Sequence, residues 1–139
     1  MTGDAERSIR LTVAAEPRLL GTIRLVVATA ARRAGLEDEA VEDLKVAVSE
    51  ICSTAVDGAG PVGPVELDLH EETDRFVVEI RDRAPHVPDL HAAPGSGDDR
   101  AFGLALVGSL VVDLDSSERP GGGYVTRFWL PARAEAGAR

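Results

Sequence analysis

An α+β fold, a two-layer α/β sandwich whose mostly antiparallel sheet is covered on one face by helices, is predicted by three features of this sequence. Helical periodicity occupies residues 17–56, alternating apolar runs come in pairs over residues 65–82 and 111–130, and turn residues split each pair. The 139 residues, 44% of them hydrophobic, suffice for one core and fall short of two, so a single domain over residues 1–139 is expected.

The elements follow in order. Ser8 to Ala14, SIRLTVA, alternates and reads as a strand. Pro17 opens a helix whose apolar stripe is Leu20, Ile23, Val27, Ala30 and Ala34, and Gly35 closes it. Leu36 to Val56 reads as a second helix, with Glu37, Asp38 and Glu39 near its positive end and Val41, Leu44, Ala47, Val48, Ile51 and Ala55 as its stripe. The Gly/Pro cluster from Gly58 to Pro64 ends that helix. Val65 to Leu69 and Phe76 to Asp82 form a hairpin. Residues 83–100, RAPHVPDLHAAPGSGDDR, read as a long functional lid loop. Ala101 to Leu110 resumes a short helix, and Val111 to Ser116 pairs with Tyr124 to Leu130 around the RPGGG turn, Arg119 to Gly123. Residues 132–139 are expected to be a loose tail.

Composition excludes several functions. A net charge of −9 with no basic run argues against a grip on nucleic-acid phosphates and suits a basic protein partner. The single Cys52 forms no internal disulfide and no cysteine-built zinc site, and its place on an apolar helix side reads as a small buried hydrophobe. No N-terminal apolar stretch resembles a signal peptide, and no run nears the roughly 20 apolar residues of a membrane span. A cytoplasmic protein, free of nucleic acid and membrane, is expected.

LKVAVSEICSTAV, Leu44 to Val56, is the most informative segment, because it places Glu50 at the edge of an apolar stripe with Thr54 one turn on. The two polar groups project together as a small site, or Glu50 is a solvated flank residue. His86 and His91 lie on a loop without companion ligands and read as solvated.

Residues 23–56, IRLVVATAARRAGLEDEAVEDLKVAVSEICSTAV, resemble the front half of the bacterial anti-sigma-factor serine kinases, members of the GHKL ATPase superfamily with gyrase and the histidine kinases. The likeness runs over nearly the whole chain and includes three boxes: E-x-x-x-N on the second helix, D-x-G-x-G after a central strand, and G-x-G before the third helix. It implies ATP and Mg²⁺ as cofactors, and as partners a sigma factor and an anti-anti-sigma protein of the STAS-domain type. It implies a homodimer as well.

By resemblance, Glu50 is the catalytic carboxylate, a general base on the substrate serine. Thr54 replaces the family's Mg²⁺-binding asparagine with a shorter hydroxyl, which would require the ion to shift. Asp82 matches the aspartate that accepts a hydrogen bond from the adenine amino group. The glycines of its box are replaced by Ala84 and His86, whose side chains crowd the nucleotide. The third box reads Arg100, Ala101, Phe102, Gly103 and keeps one glycine of two beside the phosphates. The family's Gly-Thr-Thr is Gly123, Tyr124, Val125. For Asp82 a turn-capping acid, and for Gly103 plain helix-start geometry, explain the residues equally well. Two functions remain: an anti-sigma factor acting by partner switching, its nucleotide chemistry weakened or lost, and an active ATP- and Mg²⁺-dependent protein serine kinase on an anti-anti-sigma factor.

Overall fold

The computed structural model describes residues 7–56, 63–83 and 99–132. Strand β1 (Ser8–Val13) leads through a 3-10 turn (Pro17–Leu19) into α1 (Leu20–Arg33), followed by α2 (Asp38–Val56), β2 (Val65–Glu71) and β3 (Arg75–Arg81). The chain then forms α3 (Asp99–Gly108), β4 (Val112–Glu118) and β5 (Tyr124–Pro131). All five strands join one antiparallel sheet in the order β1-β2-β3-β5-β4, which is the α+β architecture expected.

The element ends differ from expectation for local reasons. Glu16 is extended and supplies no capping side chain, so the first turn after it tightens into a 3-10 turn before α1 begins. Gly35, with φ of +93°, ends α1 as expected, through a Schellman motif in which Leu36 N–H reaches the Ala31 carbonyl at 3.1 Å and Gly35 N–H reaches Arg32 at 3.1 Å. Leu36 is spent as the buried apolar contact of that motif, so α2 starts at Asp38 rather than at Leu36. Val111 donates to the Val107 carbonyl at the exit of α3, and β4 accordingly begins one residue later than expected.

Two expectations about loops need correction. The segment read as a lid through residue 100 is already helical from Asp99. Its last Pro and Gly are Pro94 and Gly97, and no breaker follows before Gly103, so composition overextended the loop by two residues. Most of that lid, including Ala84, His86 and His91, lies outside the described residues. The tail expected from residue 132 keeps its first residue in the fold, since Ala132 is buried and donates to the Asp74 carbonyl at 3.0 Å.

The core sits between the helices and one sheet face. Ile23, Val27 and Ala31 of α1, Val41, Leu44, Val48 and Ile51 of α2, and Leu104 and Val107 of α3 pack over Leu67, Leu69, Phe76, Val78, Ile80 and Phe128. Each large side chain so buried contributes about 1.5–3 kcal/mol. No helix among the described residues is long and apolar enough to cross a membrane.

The opposite sheet face is polar. There Arg10 pairs with Asp68 at 2.8 Å, and Arg81 reaches Asp68 at 2.9 Å, Glu79 at 2.7 Å and Glu66 at 3.5 Å, lacing β1, β2 and β3 together. Burial alone would raise the Asp68 pKa, but hydrogen bonds from Arg81 and Arg10 outweigh it and hold the carboxyl below its usual range. A carboxyl lowered by folding stabilises above its unfolded pKa of about 3.9 and loses that contribution as pH falls through the folded value. Asp68→Asn is therefore expected to cost up to about 1 kcal/mol at neutral pH, with the gap closing in acid. Melting curves of both proteins from pH 7 downward check this.

Candidate functional site

Helix α2 carries the first of the site's three parts. Its stripe turns Ile51, Cys52 and Ala55 into the core, which leaves Glu50 exposed and Thr54 half-buried at the helix edge. Thr54 Oγ1 donates to the Glu50 carbonyl oxygen at 2.8 Å, so its proton is committed to the helix backbone and the oxygen keeps its acceptor capacity. Burial, followed by the negative charge of Asp82, pushes the Cys52 thiol up to about 12, so Cys52 is the small buried hydrophobe expected and no nucleophile. Asp82 and Cys52 are both fully buried, and the charge of Asp82 is felt at the thiol, so Asp82 lies on the core side of α2 near Cys52.

Asp82 follows β3 and continues its alternation, Val78, Ile80, Asp82, onto the helix-facing side, where it is 0% exposed. Its backbone is held by the β4–β5 hairpin, from the first residue of β5 and from the turn. Asp82 N–H donates to the Tyr124 carbonyl at 3.0 Å, and the Asp82 carbonyl accepts from Tyr124 N–H at 3.3 Å and from Arg119 Nη1 at 3.0 Å. Arg83 Nη1 in turn donates to the Gly122 carbonyl at 3.1 Å. The hairpin turn is thereby clamped onto the end of β3, and Gly121, Gly122 and Gly123, all with positive φ, form a turn as expected.

Helix α3 supplies the third part. Gly103 is buried, and a Cβ built on it would stand 2.8 Å from Glu50 Oε1. Glu50 and Gly103, which the resemblance assigned to catalysis and to the phosphates, are thus direct neighbours. Arg100 and Ala101 lie in the first turns of the same helix. The structure brings Glu50, Thr54 and Gly103 together, with Asp82 on the core side of α2 near Cys52. Ala84 lies outside the described residues.

Sequence reasoning passed over two residues here. Arg119 was read as a turn residue only, and its reach to the Asp82 carbonyl has no local signal because the two are 37 positions apart. Thr126 is fully buried and its Oγ1 lies 3.0 Å from Ser116 Oγ. The parity of β5 would have found it, since Tyr124, Thr126, Phe128 and Leu130 share the buried face.

The fit to a nucleotide and its metal can be judged from these groups. A buried carboxylate offers adenine the acceptor its amino group needs, and a hydroxyl whose proton is already donated presents its oxygen to a cation. Among the described residues no three His, Cys, Asp or Glu side chains converge to hold a metal ion by themselves. The residues present fit the adenine end and a single protein ligand at the metal end. A cavity of about 420 Å³ lined by Arg7, Ile9, Arg33 and Phe76 lies at the other end of the sheet and includes none of these motifs.

The model of the histidine kinase-like ATPase domain matches residues 13–129. The chain is 45% identical over 77 residues to the serine-protein kinase RsbW of Bacillus subtilis, covering 53% of this chain and 48% of that protein. The corresponding RsbW of Halalkalibacterium halodurans is 35% identical over 77 residues, covering 55% of this chain and 48% of its own. The chain thus spans about half the length of these curated relatives. A longer match, 30% over 139 residues, joins it to the anti-sigma-F factor RsbW of Mycobacterium tuberculosis, covering 96% of this chain and 77% of that one. Among solved structures, the RsbU and RsbW domains of Rv1364c from Mycobacterium tuberculosis share the fold, with a TM-score of 0.63 and 18% identity over 91% of this chain and 34% of that one.

Proposed function

The chain belongs to the histidine kinase-like ATPase domain family, and on that premise we propose that it is an anti-sigma factor acting by partner switching. It holds a sigma factor inactive and releases it when an anti-anti-sigma protein competes. The observation that carries this reading is the near full-length likeness to the mycobacterial anti-sigma-F factor. The acidic surface, at a net charge of −9, favours encounter with the basic faces of a sigma factor. Co-purification of this chain with each sigma factor of its own genome, followed by displacement with the STAS-domain protein, tests it. Absence of any stable pair would overturn it.

A second reading, the protein serine kinase, is favoured by the juxtaposition of Glu50, Thr54 and Gly103, with the buried Asp82 on the core side of α2. On this reading Asp82 would hold the adenine edge and the Thr54 oxygen would hold Mg²⁺. Glu50 would orient the hydroxyl of the substrate serine and accept its proton. Bound ATP would supply the phosphoryl group.

The shorter Thr54 side chain and the lost glycines should leave ATP binding weak and metal-dependent. Thr54→Asn restores the longer amide oxygen and is expected to tighten Mg²⁺–ATP binding by about tenfold, or about 1.4 kcal/mol. Calorimetric titration of both proteins, with and without metal, reads this directly. No heat from either protein at millimolar ATP would mean a fold kept for protein binding alone.

A further inference from the structure

Gly103 stands where a helix disfavours glycine. It lies inside α3, and glycine in a helix interior is less favourable than alanine unless packing or function demands it. The environment of its missing side chain is specific. A Cβ there would meet Glu50 Oε1 at 2.8 Å and Glu50 Cδ at 3.9 Å, and no other heavy atom beyond the helix's own backbone and adjacent residues comes within 4 Å among the described residues. Glu50, for its part, sits exposed on α2, and no hydrogen bond or ion pair restrains its carboxylate among the described residues. The backbone of α3 at Gly103 lies directly beside the end of this arm of three torsions.

We propose that Gly103 is the positioning residue for Glu50: the space left by its absent side chain seats the carboxylate, and this, rather than phosphate contact, is why a glycine stands there. The inference rests on the kinase reading above. It follows that a methyl group at position 103 displaces the carboxylate and leaves the helix in place, because the atom in its way is the tip of a flexible side chain and not backbone. Stability should be kept, and alanine's better helix propensity favours it. Placement of the base should be lost, and a misplacement of about 1 Å lowers transfer by roughly 10²-fold.

The test has two arms. In protein labelled with carboxyl-¹³C glutamate, the Glu50 resonance is identified by its loss in Glu50→Gln. Gly103→Ala should shift that resonance and leave the other glutamates and the melting temperature nearly unchanged. An unmoved Glu50 resonance in folded Gly103→Ala overturns the proposal. Should Gly103→Ala fail to fold, the double variant Gly103→Ala/Glu50→Ala decides: recovery of folding supports the seat, and continued unfolding means that something other than Glu50 meets the methyl group.

The second arm is single-turnover transfer to the serine of an anti-anti-sigma protein. Gly103→Ala should fall about 10²-fold, and combining it with Glu50→Gln should go no lower than Glu50→Gln alone. Losses that multiply would mean that Gly103 acts independently of Glu50, which overturns the proposal. A wild type that transfers nothing would refute the kinase reading, and the carboxyl resonance would then decide the seat by itself.

Discussion

Gly123→Ala is expected to lower stability by about 3 kcal/mol or more, with a fall in Tm of roughly 10 °C. Two costs combine. At φ of +92° an alanine is strained by its own Cβ. That Cβ would also fall on the Asp82 carbonyl oxygen and lie 2.7 Å from Arg83 Cα and 2.8 Å from the Asp82 carbonyl carbon. All three atoms are backbone at the end of a central strand, so nothing there can swing aside as a side chain would. The neighbouring turn glycines provide the control. Beyond their chain neighbours, Gly121 at φ of +87° and Gly122 at +109° have no heavy atom of the described residues within 4 Å of a built Cβ, so alanine at either should cost only the conformational strain, about 1 kcal/mol. Urea denaturation of the three variants separates the terms. Equal losses at positions 122 and 123 would mean that the end of β3 yields to the turn, contrary to the clamp made by Arg83 and Arg119. Because Asp82 carries that carbonyl, Gly123→Ala should also move the carboxylate proposed to meet adenine.

What was legible in the sequence is what local periodicity encodes. The second helix's stripe, Val41, Leu44, Ala47, Val48, Ile51 and Ala55, is buried at every position, because one helix face meets one sheet and the 3.6-residue period fixes which side chains lie on it. Ala34, placed on the first stripe, is only half-buried because it falls at the helix cap, where the backbone turns away through Gly35. Both hairpins were readable from alternation and turn residues. The placement of β5 between β3 and β4 was not, since pairing between distant strands leaves no short-range pattern. The site divides in the same way. Glu50 and Thr54 share one helix, and their proximity follows from spacing alone. Gly103 is 53 positions from Glu50 in the chain, so its contact with that carboxylate depends on how α2 and α3 cross and could not be inferred from the box that contains it.

On the kinase reading, Glu50→Ala is expected to reduce serine phosphorylation by 10²-fold or more, within the roughly 10²–10⁴-fold range of a positioned general base, while sigma-factor binding stays within about threefold of wild type. The separation follows from where Glu50 sits. Its side chain is exposed and no hydrogen bond among the described residues holds its carboxylate, so removing it should change stability by no more than about 0.5 kcal/mol. Loss of transfer would then report chemistry rather than unfolding, which is seldom so clear for a buried catalytic group. Thr54 should keep its bond to the residue 50 carbonyl, since that contact is to backbone and survives the substitution. Radiolabel transfer and fluorescence anisotropy with a labelled sigma factor, run on the same preparation, measure the two activities side by side. If both fell together, the junction of α2 and α3 would itself be part of the sigma-binding surface, and phosphorylation and sequestration would compete for one site instead of occupying two.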